Sequence, residues 1–256
     1  MDYRIFSVAE DEEPLTKLDP TCGFAGIFHS VGVIGDSLAS GEFESRDARG
    51  NILYHDMYEY AWPAILQRLT GCDYENFSRG GMTAKEYVDS WADQNGFWKR
   101  KQAYIVALGN NDTFVFHHPL GSPSDIFPED PRRNADTFFG NMGRILSKLK
   151  TLEKNSRIFL VTPLLRGEKC DEEIRIIAKG LSQICGMFSD TYFIDLVTYG
   201  PVYDEAMRKR FGLGFHPNAM GYHAYALMIG NYIDYIIRRS PEEFSQVPFI
   251  GTNLKY

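Results

Sequence analysis

Residues 31–40 read Val-Gly-Val-Ile-Gly-Asp-Ser-Leu-Ala-Ser, VGVIGDSLAS. Val31, Val33 and Ile34 make a short apolar run of strand type that ends in a sharp turn at Gly35. The turn presents Asp36 and Ser37, and Leu38 then opens a helix or loop. An α/β fold lifts a small side chain above the carboxyl end of a strand in this way. A serine placed there has little bulk around its hydroxyl, and the N–H groups at the start of a following helix favour a developing anion. Such a place suits a nucleophile, provided that a base and oxyanion donors come from elsewhere in the chain. Taken alone, Gly-Asp-Ser is also ordinary turn and capping chemistry, so the rest of the chain has to decide.

Outward from this stretch the chain alternates between strand and helix. Residues 74–78 read as a second, brief strand. Residues 103–108 (AYIVAL) are apolar throughout, as expected for a centre strand covered on both faces. Residues 157–161 (RIFLV) and 192–196 (YFIDL) supply the fourth and fifth strands. A helix is expected from Asp56 to about Leu69, with Pro63 kinking it or shifting its start. Others are expected over 84–91, 134–152, 171–188 and, after Pro217, to about Arg239. In the 134–152 helix Phe138, Met142, Ile145, Leu149 and Leu152 step by four and three. A short helix is expected near 204–210. Residues 41–55 read as a polar loop. Residues 113–133 read as a long loop in which Phe114, Phe116 and Phe127 suit an ordered lid or pocket wall.

Residues 1–29 are expected to form an N-terminal extension packed on the core, as a small strand or hairpin covering a sheet edge. Residues 30–256 are expected to form a single domain. Five strand–helix alternations predict an α/β fold: one parallel sheet with helices on both faces.

The net charge of −7 argues against nucleic acid as a partner, because phosphate binding calls for a basic patch. Arg132-Arg133 and Arg238-Arg239 are too short to supply one. Cys22, Cys72, Cys170 and Cys185 form no CxxC and no Cys/His spacing typical of zinc. Reduced, scattered thiols are expected, and with them a cytoplasmic location. The first thirty residues carry the acidic run 10–13 in place of a basic-then-apolar leader. No run approaches the apolar length of a membrane span. The expected partner is therefore a small molecule. Nothing in the sequence sets an oligomeric state.

Parallel sheets bind ligands at the carboxyl ends of their strands. Four residues fall on that rim: Ser37 after the first strand, Gly81 after the second, Asn111 after the third, and His216 before the last helix. Ester hydrolysis through a serine needs a base, oxyanion donors and a group that orients the base. His216 is the natural base, because imidazole exchanges a proton near neutral pH. The backbone N–H groups of Ser37 and Gly81 and the side-chain amide of Asn111 are candidate oxyanion donors. His55, His117, His118 and His223 read as loop or helix-face residues, and His29, beside the first strand, reads as structural too.

GDSL at 35–38, NFSRGGMT at 76–83, GNND at 109–112 and His216-Pro217 resemble, in order, the four sequence blocks of the SGNH/GDSL hydrolases. The resemblance spans about 31–230. It implies a three-layer α/β/α sandwich around a flavodoxin-like parallel sheet of about five strands. It also implies esterase, lipase or carbohydrate-deacetylase activity without metal or organic cofactor. Carried over, Ser37 is the nucleophile, His216 the base, and Ser37, Gly81 and Asn111 the oxyanion hole. One departure matters: the family usually has Asp three residues before the histidine, and this chain has Leu213. Asp195, at the end of the fifth strand, is the expected substitute by topology. Asp204 or a backbone carbonyl are alternatives. Asp36 is assigned to structure.

The expected function is hydrolysis of a small or sugar-linked acyl ester through an acyl-enzyme. The alternative is a non-catalytic carbohydrate binder on the same scaffold, motivated by Leu213 and by the aromatic loop 113–133.

Overall fold

Strand β1 (Ser30–Gly35) is hydrogen-bonded on both sides. The computed structural model describes residues 3–248. A hairpin follows β1, made of β2 (Glu42–Arg46) and β3 (Ile52–Asp56). Then come β4 (Asp73–Asn76), β5 (Ala103–Ala107), β6 (Arg157–Val161) and β7 (Thr191–Ile194). Last is a two-residue bridge between β8 (Gly212–Leu213) and β9 (His216–Pro217). The main sheet has the order β4-β1-β5-β6-β7 and is parallel throughout. Val31 lies opposite both Tyr74 and Ala103, which brings the carboxyl ends of β1, β4 and β5 side by side.

The sheet buries both faces, and alternate residues of each strand go to opposite sides. Val31, Val33, Ile105, Phe159 and Ile194 pack with Trp62, Ile65 and Leu66 of helix Trp62–Thr70 and with Tyr222, Ile229 and Ile233 of helix Ala219–Arg239. Ile34, Tyr104, Val106, Ile158 and Leu160 pack on the other side. There they meet Phe138, Met142 and Ile145 of helix Phe138–Leu152 and Ile177 and Leu181 of helix Asp171–Cys185. Residues 84–94 complete that layer as one continuous helical run with a π-turn at Tyr87–Trp91. The result is the expected α/β/α sandwich.

Several local expectations change. The segment 41–55 is mostly the antiparallel hairpin β2–β3, not a loop. Asp56 ends that hairpin and caps no helix, and the helix starts at Trp62, with Pro63 in its first turn where a missing N–H costs nothing. Pro217 sits in β9, and Asn218 caps the last helix by accepting from Gly221 N at 2.9 Å. Residues 1–29 contain no strand among those described. The segment has a 3-10 turn at Gly23–Ile27 that packs against helix Ala219–Arg239 rather than on a sheet edge. Asn231 and Asp234 of that helix accept from Asp19 N and Phe24 N. Cys22, Ala25 and Phe28 enter the core.

In the segment 113–133, Phe116 is exposed and stacks on His118, while Phe127 lies under the Arg133 guanidinium. No helix among the described residues is long and apolar enough to cross a membrane.

Candidate active site

Ser37 leaves β1 at the first position of the short helix Ser37–Ser40. Asp36 caps that helix by accepting from Leu38 N at 3.0 Å. Asp36 is only 3% exposed, and burial, the largest cause, pushes its carboxyl up to about 6. The Leu38 N–H, His216 and Asn110 oppose this rise, and Asp112 adds to it. Its position behind the serine fits the structural assignment.

Ser37 Oγ lies 2.9 Å from His216 Nε2, and His216 Nδ1 lies 2.8 Å from Glu44 Oε1. The same Glu44 oxygen accepts from Phe215 N at 2.7 Å and His216 N at 3.2 Å. Glu44 is 7% exposed, so these three donors supply the polar contacts that burial removes from water. An ionised carboxylate only accepts, which places the ring proton on Nδ1 and leaves Nε2 free to accept from the Ser37 hydroxyl. Tyr54, on β3, sets its ring edge-on to the imidazole at 5.8 Å.

Glu44 was not among the expected site residues; Asp195 was. The structure places Asp195 as the N-cap of helix Leu196–Tyr199, accepting from Thr198 N at 3.0 Å. Asp204 likewise caps helix Glu205–Phe211, accepting from Met207 N at 2.9 Å. Both carboxylates are engaged in turn chemistry away from the imidazole. Leu213 bridges to His216 in the β8–β9 pair and leaves its side chain 42% exposed.

The reason that a residue so far upstream can reach His216 is steric. Gly214 has φ 73°, and a Cβ there would collide with Glu44 Oε2. The glycine lets the loop before His216 close over the Glu44 carboxylate.

The candidate oxyanion donors Gly81 and Asn111 follow β4 and β5. Gly81 has φ 73°, a conformation that favours glycine, and an added Cβ would meet nothing within 4 Å. Asn111 sits in helix Asn110–Phe114 at the end of β5. Its Nδ2 donates to Met82 O at 3.2 Å and reaches Asp36 Oδ2 at 3.5 Å. That amide therefore ties the Gly81–Met82 turn to the residue before Ser37. Asp112 is fully buried and accepts from Ala84 N, which fixes the following helix against β5. Ser37, Gly81, Asn111 and His216 thus stand on one rim, with Glu44 joined to them from the hairpin. Among the described residues no group of three or more His, Cys, Asp or Glu side chains is placed to hold a metal ion.

A model of the GDSL-like lipase/acylhydrolase family matches residues 33–224. No curated protein sequence matches the chain. Among solved structures, the chain is similar to a family two carbohydrate esterase from Clostridium thermocellum in complex with cellohexaose. That match has 13% identity and a TM-score of 0.56, covering 91% of this chain and 66% of that one. A Lactobacillus plantarum protein matches at 16% identity and a TM-score of 0.59, over 81% of this chain and 97% of that one. A carbohydrate esterase family 2 enzyme with a carbohydrate binding domain, from Corynascus thermopiles, matches at 15% identity and a TM-score of 0.53. It is covered over 64% of its length, by 79% of this chain. The chain therefore spans about two thirds of the two esterases. At these identities the likeness is one of fold.

Proposed function

The chain belongs to the GDSL-like lipase/acylhydrolase family, and from that premise we propose that it is a serine esterase that releases a small acyl group from a polyol or sugar through an acyl-enzyme. One observation carries the reading: Ser37 Oγ, His216 and Glu44 stand in hydrogen-bonded series, at 2.9 Å and 2.8 Å.

In this reading Ser37 Oγ attacks the ester carbonyl as its proton passes to His216 Nε2. The Nδ1–H bond to Glu44 holds the ring in the tautomer that can accept that proton, and the carboxylate stabilises the imidazolium once it forms. The new oxyanion takes hydrogen bonds from Ser37 N–H, Gly81 N–H and the Asn111 amide. The 3.5 Å reach of Asn111 to Asp36 is long for a hydrogen bond, so that N–H is the one able to turn to the oxyanion. Collapse breaks the ester bond, and Nε2–H protonates the departing alcohol. Water then attacks the acyl-enzyme, giving its proton to Nε2; the acyl–Oγ bond breaks, Nε2–H returns that proton to Ser37 Oγ, and the acid leaves.

The sugar-sized alcohol is supported by the aromatic side chains at the site mouth. Phe215, next to the base, is 78% exposed, and Tyr54 beside the imidazole is 54% exposed. Flat aromatic faces in water suit the apolar face of a pyranose better than they suit a charged group. The binder alternative rests on the absent Asp at 213 and on the aromatic loop 113–133; the Glu44 contact to His216 Nδ1 weighs against the first of these.

The test is hydrolysis of p-nitrophenyl acetate and of an acetylated methyl glucoside by the full chain and by Ser37→Ala. Turnover lost with the serine supports the reading. Turnover retained without it overturns the reading.

A further inference from the structure

Glu42 and Glu44 are two residues apart in β2, so their side chains leave the same face of the hairpin. Glu44 takes Nδ1 of the imidazole. Glu42 approaches the other nitrogen: its Oε1 lies 3.2 Å from His216 Nε2, the atom that also meets Ser37 Oγ. The carboxylate rests against Gly80, where a Cβ would collide with Glu42 Oε2. Tyr222 Oη donates to the Glu42 carbonyl at 2.7 Å and fixes the backbone beneath it. Glu42 thus fills the corner between the base and the Gly80–Gly81 turn.

This arrangement sets a second carboxylate beside the base of the resting series. When Nδ1–H is given to Glu44, Nε2 turns a lone pair outward to the Ser37 hydroxyl, and the Glu42 carboxylate flanks that lone pair at 3.2 Å, off the hydrogen-bond axis. The second contact is repulsive unless an extra proton sits on Nε2 or on Glu42. A proton on Nε2 stops His216 from accepting the one on Ser37.

Burial, the largest cause, holds the Glu42 carboxyl above its usual range; His216 opposes this, and Asp56, Asp36 and Glu44 reinforce it. The Glu42 side chain is 15% exposed. An ionised carboxylate offers about four acceptor sites. Among the described residues the polar group at hydrogen-bond range of this carboxylate is His216 Nε2. The site is therefore short of donors where a substrate can bring one.

The position of the leaving group says which part of the substrate arrives there. The departing oxygen must reach Nε2 to be protonated, so it lies beside Glu42. A hydroxyl on the carbon next to the ester-bearing carbon then falls within hydrogen-bond range of the carboxylate.

We propose that Glu42 is a specificity-determining residue whose carboxylate accepts a hydrogen bond from a free hydroxyl vicinal to the ester, so that the preferred substrates are partially acylated sugars or polyols rather than fully acylated ones. The substrate hydroxyl satisfies Glu42 and draws it off Nε2, which leaves the base to Ser37. An ester without such a donor meets a base whose Nε2 is still flanked by the Glu42 charge. This inference rests on the serine-esterase reading.

The experiment measures kcat/KM for three esters with the full chain, Glu42→Gln and Glu42→Ala. The esters are methyl 2-O-acetyl-glucopyranoside, methyl tetra-O-acetyl-glucopyranoside and p-nitrophenyl acetate. The wild type should prefer the monoacetate over the tetraacetate by about tenfold or more, the worth of one hydrogen bond to a charged group. In Glu42→Ala that preference should fall to about twofold while p-nitrophenyl acetate turnover rises. Glu42→Gln, which keeps an acceptor oxygen without the charge, should fall between.

An unchanged preference in Glu42→Ala overturns the proposal. So does a parallel loss on all three esters, the signature of a merely structural role. Labelling of Ser37 by a fluorophosphonate, read by intact mass, separates the two levels. A wild type that takes no label and turns over no ester overturns the esterase reading, and this inference with it.

Discussion

Glu44 Oε1 and His216 Nδ1 lie 2.8 Å apart although 172 positions separate them in the chain. The carboxylate that meets the imidazole comes from the hairpin after Ser37, not from the segment before His216. Glu44→Gln keeps the size and an acceptor for Phe215 N but removes the charge that fixes the ring tautomer. It should lower kcat by about 10²–10⁴-fold with little change in KM. Asp195→Ala should leave kcat within about twofold and cost about 1 kcal/mol of stability through its lost N-cap. Steady-state kinetics and denaturant unfolding of the two variants check this assignment, and the reverse pattern would return the role to Asp195.

Asn111 links the Gly81–Met82 turn to the Asp36–Ser37 turn through Met82 O and Asp36. Asn111→Ala should reduce kcat by about 10²–10³-fold, the usual effect of removing one oxyanion donor. KM should move little, because that donor is used fully only when the oxyanion forms. A variant that raises KM at constant kcat would assign Asn111 to ground-state binding instead.

Asp36 carries a pH dependence of stability. Its folded carboxyl is pushed up to about 6 by burial, while in the unfolded chain it returns to about 4. The folded state thus binds this proton more tightly. The stabilisation is full below about pH 4 and is lost as pH rises through 6. Asp36→Asn keeps an acceptor for Leu38 N and removes the titration. Relative to wild type it should gain up to about 3 kcal/mol between pH 4 and pH 7.5, read as the difference between two denaturation series. Parallel series would show that Asp36 is ionised at no cost.

The five strands of the main sheet, most of the helices and four of the five candidate site residues were legible in the sequence for a common reason. Val31, Val33 and Ile34, the run 103–107 and the 3.6-period helix 138–152 carry their burial in local apolar patterns. Ser37, Gly81 and Asn111 follow directly from where those strands end. The hairpin was not legible, because within β2 only Glu44 is buried, and within β3 every residue but Ile52 is exposed. No apolar alternation marks a strand whose inward side chains are carboxylates. The traces that remain are Glu42 and Glu44 at strand spacing, a turn ending in Gly50, and Gly214 making room for a side chain. Asp195 misled because the end of a strand is also where a helix takes its N-cap, and that local bond takes its carboxylate.

The most direct measurement is intact mass of the full chain and of Ser37→Ala after a fluorophosphonate probe, run beside p-nitrophenyl acetate hydrolysis. The account predicts one adduct on the wild type, none on the variant, and a rate lost with the serine. An adduct or an undiminished rate in Ser37→Ala, or neither in a folded wild type, would contradict it.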